Sequence, residues 1–137
     1  MDTRPSQFSA LIVDDTPDIV WRLTEVLLED GRVSTVDSAD NGSEALEMIR
    51  VQLPDIAFID LNLPDLSGIQ VLKGIRHFEQ ELSSGSPAIQ VLIIVLSLEP
   101  SPTIIEACKK AGANHVVSKR EGVHRVISLL DELGVHE

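Results

Sequence analysis

Acidic, hydroxyl and ammonium side chains follow four of the hydrophobic segments in this sequence. Asp14 and Asp15 come after the first segment, Asp60 ends the third, Ser97 ends the fourth and Lys119 follows the fifth. In an open parallel sheet, ligands bind beyond the carboxyl ends of the strands, so these side chains are predicted to meet at one edge. Carboxylates, a hydroxyl and an ammonium together suit the binding of a metal ion and a phosphoryl group, with a carboxylate as the nucleophile.

The three carboxylates converge if the first and third strands are neighbours, because adjacent strands lie about 4.8 Å apart. Asp14, Asp15 and Asp60 then repel one another. Either one of them binds a proton, or a divalent cation with oxygen ligands neutralises them. Magnesium fits the second case, because it needs few protein carboxylates and also binds phosphate oxygens. Lys119 supplies a further positive charge for an anion, to which the Ser97 hydroxyl can donate.

Segments of strand length alternate with segments of helical periodicity along the whole chain. Apolar runs predict five strands, at residues 9–14, 33–39, 56–60, 89–97 and 115–118. Strict alternation of strands and helices is typical of a parallel sheet with helices on both faces. The predicted fold class is therefore α/β, with a doubly wound five-stranded parallel sheet in the order 2-1-3-4-5 and five helices.

Serine, threonine and proline residues mark where the helices begin. Thr16 is predicted to cap the first helix, with Pro17 at its first position, and Ser43, Ser67 and Ser101 are predicted to cap the second, third and fourth. The fifth helix is predicted over about residues 122–133. The inward faces of the third and fifth helices are predicted to carry Ile69, Leu72, Ile75, Phe78 and Leu82, and Val126, Ile127, Leu130 and Leu133.

Composition restricts the class of protein. The chain has 137 residues, which suits one domain, and its 22 acidic and 11 basic residues give a net charge of −11. An acidic chain without a long basic cluster is not expected to bind DNA or RNA directly. The single cysteine, Cys108, excludes an internal disulfide and suits a reducing compartment. The longest apolar run, residues 91–96, is too short to cross a bilayer, so we predict a cytoplasmic protein without a membrane segment.

The ordered set of site residues resembles the receiver domain of bacterial two-component response regulators. The set consists of Asp14-Asp15 after the first strand, D-x-N-x-P-x-x-x-G at residues 60–68 after the third, Ser97 after the fourth and Lys119 after the fifth. The resemblance covers residues 9–134 and leaves residues 1–8 as an N-terminal tail. It implies a flavodoxin-like sheet and a receiver that either stands alone or is excised from a larger regulator.

The resemblance implies a role for each acidic residue of the set. Asp60 would be the phosphoacceptor, taking a phosphoryl group from the phosphohistidine of a sensor histidine kinase or phosphotransfer protein. Asp15, Asp60 and the backbone carbonyl of Asn62 would hold Mg²⁺, and Asp14 would belong to the same metal site by orienting a water bound to the ion. The transfer would be self-catalysed, as would the later loss of the group, so the chain would not be an enzyme in the usual sense.

The resemblance also implies how the signal leaves the site. Ser97 would be the switch hydroxyl, and Lys119 would pair with Asp60 and then with the phosphoryl group. The output surface would comprise the fourth helix, fifth strand and fifth helix, residues 102–133. That surface would dock a downstream protein or an output domain, or would form a homodimer.

Three positions depart from the family pattern. Leu98 follows Ser97 where the family has a small residue, which is expected to narrow access to the phosphoryl group. Val116 stands in the place of an aromatic switch residue, so the relay is expected to differ. Arg120 replaces a proline after Lys119, and because a cis peptide without proline costs about 3 kcal/mol, a different loop shape is expected.

Two alternative functions fit parts of the pattern. A pseudo-receiver would keep the pocket and signal independently of phosphorylation, as the changes at Leu98, Val116 and Arg120 suggest. A small Mg²⁺-dependent phosphatase would use Asp60 as its nucleophile. Phosphatases of the haloacid dehalogenase type carry a second acid two residues after the nucleophile, where this chain has Asn62.

Overall fold

A five-stranded parallel β-sheet forms the centre of the computed structural model, in which residues 8–83 and 90–133 are described. The strands are β1 (Phe8–Val13), β2 (Val33–Ala39), β3 (Ile56–Asp60), β4 (Leu92–Ser97) and β5 (His115–Ser118), and the helices are α1 (Pro17–Asp30), α2 (Gly42–Val51), α3 (Gly68–Ser83), α4 (Pro102–Ala111) and α5 (His124–Glu132). The strand order is β2-β1-β3-β4-β5, and neighbouring strands are parallel. The predicted α/β class, sheet order and five helices are confirmed.

Both faces of the sheet are covered by packed side chains. One face packs against α2, α3 and α4 through residues that include Leu72 and Cys108, and the other packs against α1 and α5 through residues that include Leu27 and Leu130. All five residues of β3 are buried, which explains its continuous apolar sequence. Asp60 is the last of them, so the core fixes the position of its carboxylate.

Serine side chains cap α3 and α4 as predicted. The Ser67 hydroxyl accepts a hydrogen bond from the Gln70 N–H (3.3 Å), and the Gln70 side chain accepts one from the Ser67 N–H (2.9 Å). This reciprocal pair is a capping box, which fixes the entry into α3. The Ser101 hydroxyl accepts from the Ile104 N–H (3.2 Å) at the start of α4.

The beginnings of α1 and α2 differ from the prediction. Asn41, rather than Ser43, caps α2 by accepting a hydrogen bond from the Glu44 N–H (2.8 Å). Asparagine and serine are equally good N-caps, so their order in the sequence does not decide between them. Thr16 occupies the N-cap position of α1 without a side-chain capping bond. Its N–H instead donates to Asp14 Oδ1 (2.9 Å).

The bounds of two strands, β1 and β4, also differ from the prediction. β1 begins at Phe8, which the predicted tail included, because the Phe8 N–H already donates to the carbonyl of Arg32 (3.0 Å). Residues 1–7 of that tail lie outside the described residues. β4 begins at Leu92 rather than at residue 89, and residue 89 likewise lies outside them.

A short 3-10 helix that was not predicted, Lys119–Glu121, separates β5 from α5. It is followed by Gly122, whose backbone has φ 82° and ψ 163°. This left-handed φ suits glycine and interrupts the helix, so α5 begins at His124 rather than at residue 122.

The helices are amphipathic, but two predicted inward positions are wrong. Leu82 and Leu133 are 63% and 39% exposed. In α3 the buried face ends instead at Glu79, a polar side chain that hydrophobic periodicity cannot reveal, and in α5 Leu129 is buried. Within the ranges 8–83 and 90–133, none of the helices has the length and apolar content that a bilayer crossing requires.

Candidate functional site

The side chains predicted to do chemistry lie at the carboxyl ends of β1, β3, β4 and β5. Val13 pairs with Ile59 in the parallel register, so the residues that follow them, Asp14 and Asp60, lie side by side. On the other side of Asp60, β4 ends at Ser97. Asp14, Asp60 and Ser97 are only 1%, 5% and 3% exposed. The apolar strands therefore hold polar groups at a buried edge.

Lys119 reaches this edge from the first position of the 3-10 helix after β5. Its Nζ atom lies 2.9 Å from Asp14 Oδ2 and 3.3 Å from Asp60 Oδ2, and its side chain is only 10% exposed. One ammonium thus bridges the carboxylates of two neighbouring strands where little water is present. Charge interactions are stronger there than at an open surface.

Asp15 completes a cluster of three carboxylates. Asp14, Asp15 and Asp60 each offer one oxygen within 4.8 Å of the others, and Asp15 is the exposed member. Three ionised carboxylates and the one ammonium of Lys119 leave two negative charges unbalanced. Asp14 Oδ2 is also buried, and the Lys119 ammonium, 2.9 Å away, is the one donor that contacts it among residues 8–83 and 90–133. A divalent cation with oxygen ligands fits both features.

The environment shifts the pKa values of Asp60 and Lys119. Burial raises the pKa of Asp60, and the charge of Asp14 raises it further, while the Asn62 N–H and Lys119 act against the rise without cancelling it. Burial lowers the pKa of Lys119, but its pairs with Asp14 and Asp60 outweigh burial and raise that pKa overall. Shifts caused by burial together with a specific charged partner are typical of functional sites.

Asn62 lies in the loop between β3 and α3, two residues after Asp60. Its N–H donates to Asp60 Oδ1 (3.2 Å), and its backbone forms an antiparallel bridge with Ser67. The Asn62 side chain is exposed. The backbone of Asn62, rather than its amide side chain, is therefore the part that the loop holds beside Asp60.

The fold and the site are shared with a family of known proteins. Residues 10–131 match the family described as the response regulator receiver domain. The chain belongs to this family. A transcriptional regulator of Pseudomonas aeruginosa is 31% identical over 117 residues, covering 85% of this chain and 52% of that protein. The DNA-binding transcriptional activator EvgA of Escherichia coli is 29% identical over 123 residues, covering 90% of this chain and 55% of EvgA.

This receiver domain spans about half the length of the curated relatives it matches. Among solved structures, the receiver domain of NarL from Mycobacterium tuberculosis has a TM-score of 0.79 at 25% identity, covering 94% of this chain and 97% of that one. The chemotaxis protein CheY4 of Vibrio cholerae has a TM-score of 0.79 at 24% identity, covering 93% and 98%. The likeness to CheY4 concerns the fold alone.

The three departures of this receiver domain from the family pattern lie close to Ser97 or Lys119 along the chain. Arg120 lies in the 3-10 helix, and the peptide bonds within the described ranges are all trans. Its guanidinium donates to the carbonyl of Leu98 (3.3 Å) and to the carboxylate of Glu99 (2.7 Å). Leu98 itself is 56% exposed, and Val116 is half-buried in β5. Arg120 therefore connects the loop after Ser97 to the segment that begins with Lys119.

The contacts of two polar residues near the site were not predicted. Asp65 binds the start of α2, and Arg120 contacts the loop after β4. The partners of both lie more than twenty residues away in the sequence, so spacing carries no signal for them. The proline that Arg120 replaces is the one clue that this position differs.

Neither alternative function is favoured. The chain matches the receiver family over most of its length. An amide at Asn62 cannot serve as the general acid that a phosphatase of the proposed type needs. The pseudo-receiver alternative rests on Leu98, Val116 and Arg120. The charged residues of the site nevertheless lie together.

Proposed function

We propose that this receiver domain accepts a phosphoryl group on Asp60 and thereby switches its contacts with partner proteins. One observation carries the proposal: Asp14, Asp15 and Asp60 lie within 4.8 Å of one another, and Lys119 pairs with two of them. Phosphoryl transfer depends mainly on positioning and on neutralising oxygen charge. A buried cluster of this composition is suited to both.

In the proposed reaction, an oxygen of the Asp60 carboxylate forms a bond to phosphorus. The bond between phosphorus and an imidazole nitrogen of the donor's phosphohistidine breaks, and the nitrogen keeps the electron pair. The products are an acyl phosphate on Asp60 and a histidine on the donor. The carboxylate attacks only when ionised, so the ammonium of Lys119 supports the reaction by opposing the effect of burial on the pKa of Asp60.

The proposal includes Mg²⁺ as the ion of the site. Asp14, Asp15, Asp60 and the backbone carbonyl of Asn62 would hold it. When bound, Mg²⁺ neutralises negative charge on phosphoryl oxygens. Two features support this assignment: the cluster has unbalanced negative charge, and the buried Asp14 Oδ2 has Lys119 as its one donor within the described residues.

Ser97 and Lys119 are the proposed route by which the signal leaves the site. Lys119 would exchange its pair with Asp60 for a pair with the phosphoryl group, to which the Ser97 hydroxyl would donate. Ser97 directly precedes the loop whose carbonyl at Leu98 accepts from Arg120. A movement of Ser97 would therefore be passed to that loop and shift the population of a second conformation.

The partners follow from the same proposal. The donor would be a sensor histidine kinase or a phosphotransfer protein, and α4, β5 and α5, within residues 102–133, would dock a downstream protein, an output domain or a second copy. We propose that this chain does not itself bind nucleic acid, because its net charge is −11. Its free, buried thiol at Cys108 suits the cytoplasm.

Mg²⁺-dependent labelling tests the proposal. Incubation with a small acyl phosphate and Mg²⁺ is expected to add one phosphoryl group per chain, measured by intact mass, and a chelator is expected to prevent it. Asp15→Asn should raise the Mg²⁺ concentration for half-maximal labelling by at least about tenfold, because it removes a proposed ligand.

Asp18→Asn is the matched control for Asp15→Asn. Asp18 is an exposed acid of the first turn of α1 that faces Arg22 (3.6 Å). The Asp18→Asn substitution should leave the Mg²⁺ concentration for half-maximal labelling unchanged. Full labelling of the wild type in the presence of chelator, or an Asp15→Asn variant that needs no more Mg²⁺ than the Asp18→Asn variant, would refute the metal assignment.

A further inference from the structure

The loop of residues 61–67, called the β3–α3 loop below, follows Asp60 directly and contains Asn62. The Gly68 N–H donates to the carbonyl of Leu61 (2.9 Å) and closes the neck of the loop. A Cβ atom on Gly68 would overlap the carbonyl oxygen of Asp60, so this close approach requires glycine. These contacts hold the neck of the loop, while Leu63 packs against the core and the Leu66 side chain lies over Gly42.

Asp65 holds the far end of the loop, because its carboxylate accepts four hydrogen bonds. Oδ1 accepts from the Gly42 N–H (2.7 Å) and the Leu66 N–H (2.8 Å), and Oδ2 accepts from the N–H (3.0 Å) and hydroxyl (2.6 Å) of Ser43. The bond from the Ser43 hydroxyl, followed by that from the Gly42 N–H, lowers the pKa of Asp65. The carboxylate is therefore charged at neutral pH.

The start of α2 is the anchor for this carboxylate. The first N–H groups of a helix lack partners within the helix, and a negative charge there is favoured by the helix dipole. Asp65 accepts from Gly42 and Ser43, whereas Asn41 accepts from Glu44, so the two acceptors serve different N–H groups. Buried side chains of the core fix α2 against the sheet and α3.

We propose that Asp65 is a positioning residue for phosphoryl transfer: by fastening the β3–α3 loop to α2, it sets the place of the Asn62 carbonyl beside Asp60. The inference rests on the proposed function, because it concerns the Mg²⁺ that this carbonyl would bind. Without Asp65 the loop keeps the Asn62–Ser67 bridge and its apolar contacts but loses its hydrogen bonds to α2. The carbonyl of Asn62 then samples more positions. Ordering it when the ion binds then costs affinity.

The test compares the Mg²⁺ affinity of Asp65→Ala with that of Asn41→Ala. Mg²⁺ alone is titrated while the fluorescence of Trp21 is recorded, since this only tryptophan lines the same groove as Asp14 and Asp15. Both variants remove a hydrogen-bond acceptor from the start of α2, but only Asp65→Ala removes the hydrogen bonds between the β3–α3 loop and α2. The Asp65→Ala variant is expected to bind Mg²⁺ about tenfold more weakly than the wild type. The Asn41→Ala variant is expected to bind Mg²⁺ with the affinity of the wild type. Wild-type affinity in Asp65→Ala, or equal losses in the two variants, would overturn the proposal.

Amide hydrogen exchange in the wild type gives a second measurement that needs no variant to fold. Saturation with Mg²⁺ is expected to slow exchange at Gly42 and Ser43, because an ordered loop holds Asp65 more firmly against them. Unchanged exchange at both N–H groups in the Mg²⁺-bound protein would also overturn the proposal. Failure of the proposed function can be distinguished from failure of this inference. A wild-type protein that binds Mg²⁺ but gains no phosphoryl group would contradict the proposed function. The difference in Mg²⁺ affinity between Asp65→Ala and Asn41→Ala would still show whether Asp65 positions the loop.

Discussion

Lys119→Ala is expected to slow the phosphorylation of Asp60 by about 10²–10³-fold, the usual cost of removing one positioned group that stabilises transition-state charge. The ammonium lies 2.9 Å from Asp14 and 3.3 Å from Asp60 in a largely buried site. In the transition state, negative charge spreads over the phosphoryl oxygens, and a fixed cation stabilises that state more than the ground state. The initial rate of mass gain with an acyl phosphate at saturating Mg²⁺ measures the effect.

Lys110→Ala is the matched control for this variant. The Lys110 side chain is 77% exposed and pairs with Glu106 across one turn of α4 (3.2 Å). Its removal should leave the rate of labelling unchanged. A Lys119→Ala protein with a native circular dichroism spectrum and a wild-type rate of labelling would show that the ammonium has no part in the transfer.

The second large effect concerns stability: Arg76→Ala is expected to lower the free energy of unfolding by about 3 kcal/mol. The Arg76 guanidinium donates to the carbonyls of Val91 (2.9 Å) and Gly112 (3.0 and 2.7 Å) and to the side chains of Glu79 (2.8 Å) and Asn114 (2.8 Å). It joins α3 to the segments that lead into β4 and β5. Loss of the Arg76 guanidinium removes a hydrogen-bond donor from several acceptors at once, and one of them is the buried carboxylate of Glu79. Equilibrium denaturation in urea measures the change.

Arg22→Ala is the control for the stability measurement. Arg22 is 55% exposed and lies 3.6 Å from Asp18, a surface pair whose loss should cost about 0.5 kcal/mol or less. Because Arg76 lies near the amino ends of β4 and β5, away from the site, folded Arg76→Ala protein should be labelled at the wild-type rate. A loss of stability no larger than that of Arg22→Ala would show that the Arg76 contacts contribute little.

The site was predictable because parallel strands bring their carboxyl ends to one edge. Apolar runs indicate β1 and β3, and the types of the residues that follow them predict that Asp14, Asp15 and Asp60 lie together. Lys119 could be placed for the same reason, since it follows β5. The convergence of these residues depends on topology, which alternation of strands and helices predicts well.

Contacts between side chains of distant segments were not predictable. Arg76 meets Gly112, which follows 36 residues later, and Asp65 reaches Gly42, which lies 23 residues earlier. Neither contact leaves a periodic pattern in the sequence. Hydrophobicity predicts Leu82 on the buried face of α3, but Glu79 is buried there instead. Hydrogen bonds from Arg76 and from a backbone N–H satisfy its carboxylate.

The mass of intact Asp60→Asn protein after incubation with an acyl phosphate and Mg²⁺ tests the central claim most directly. Burial and Asp14 raise the pKa of Asp60 above its ordinary value of 3.8, so ionisation of Asp60 lowers stability as pH rises from 3.8 through the raised value. Asp60→Asn should therefore be folded and at least as stable as the wild type at neutral pH. The wild type is expected to gain one phosphoryl group and Asp60→Asn none, whereas equal gains in the two proteins would contradict the assignment of Asp60 as the phosphoacceptor.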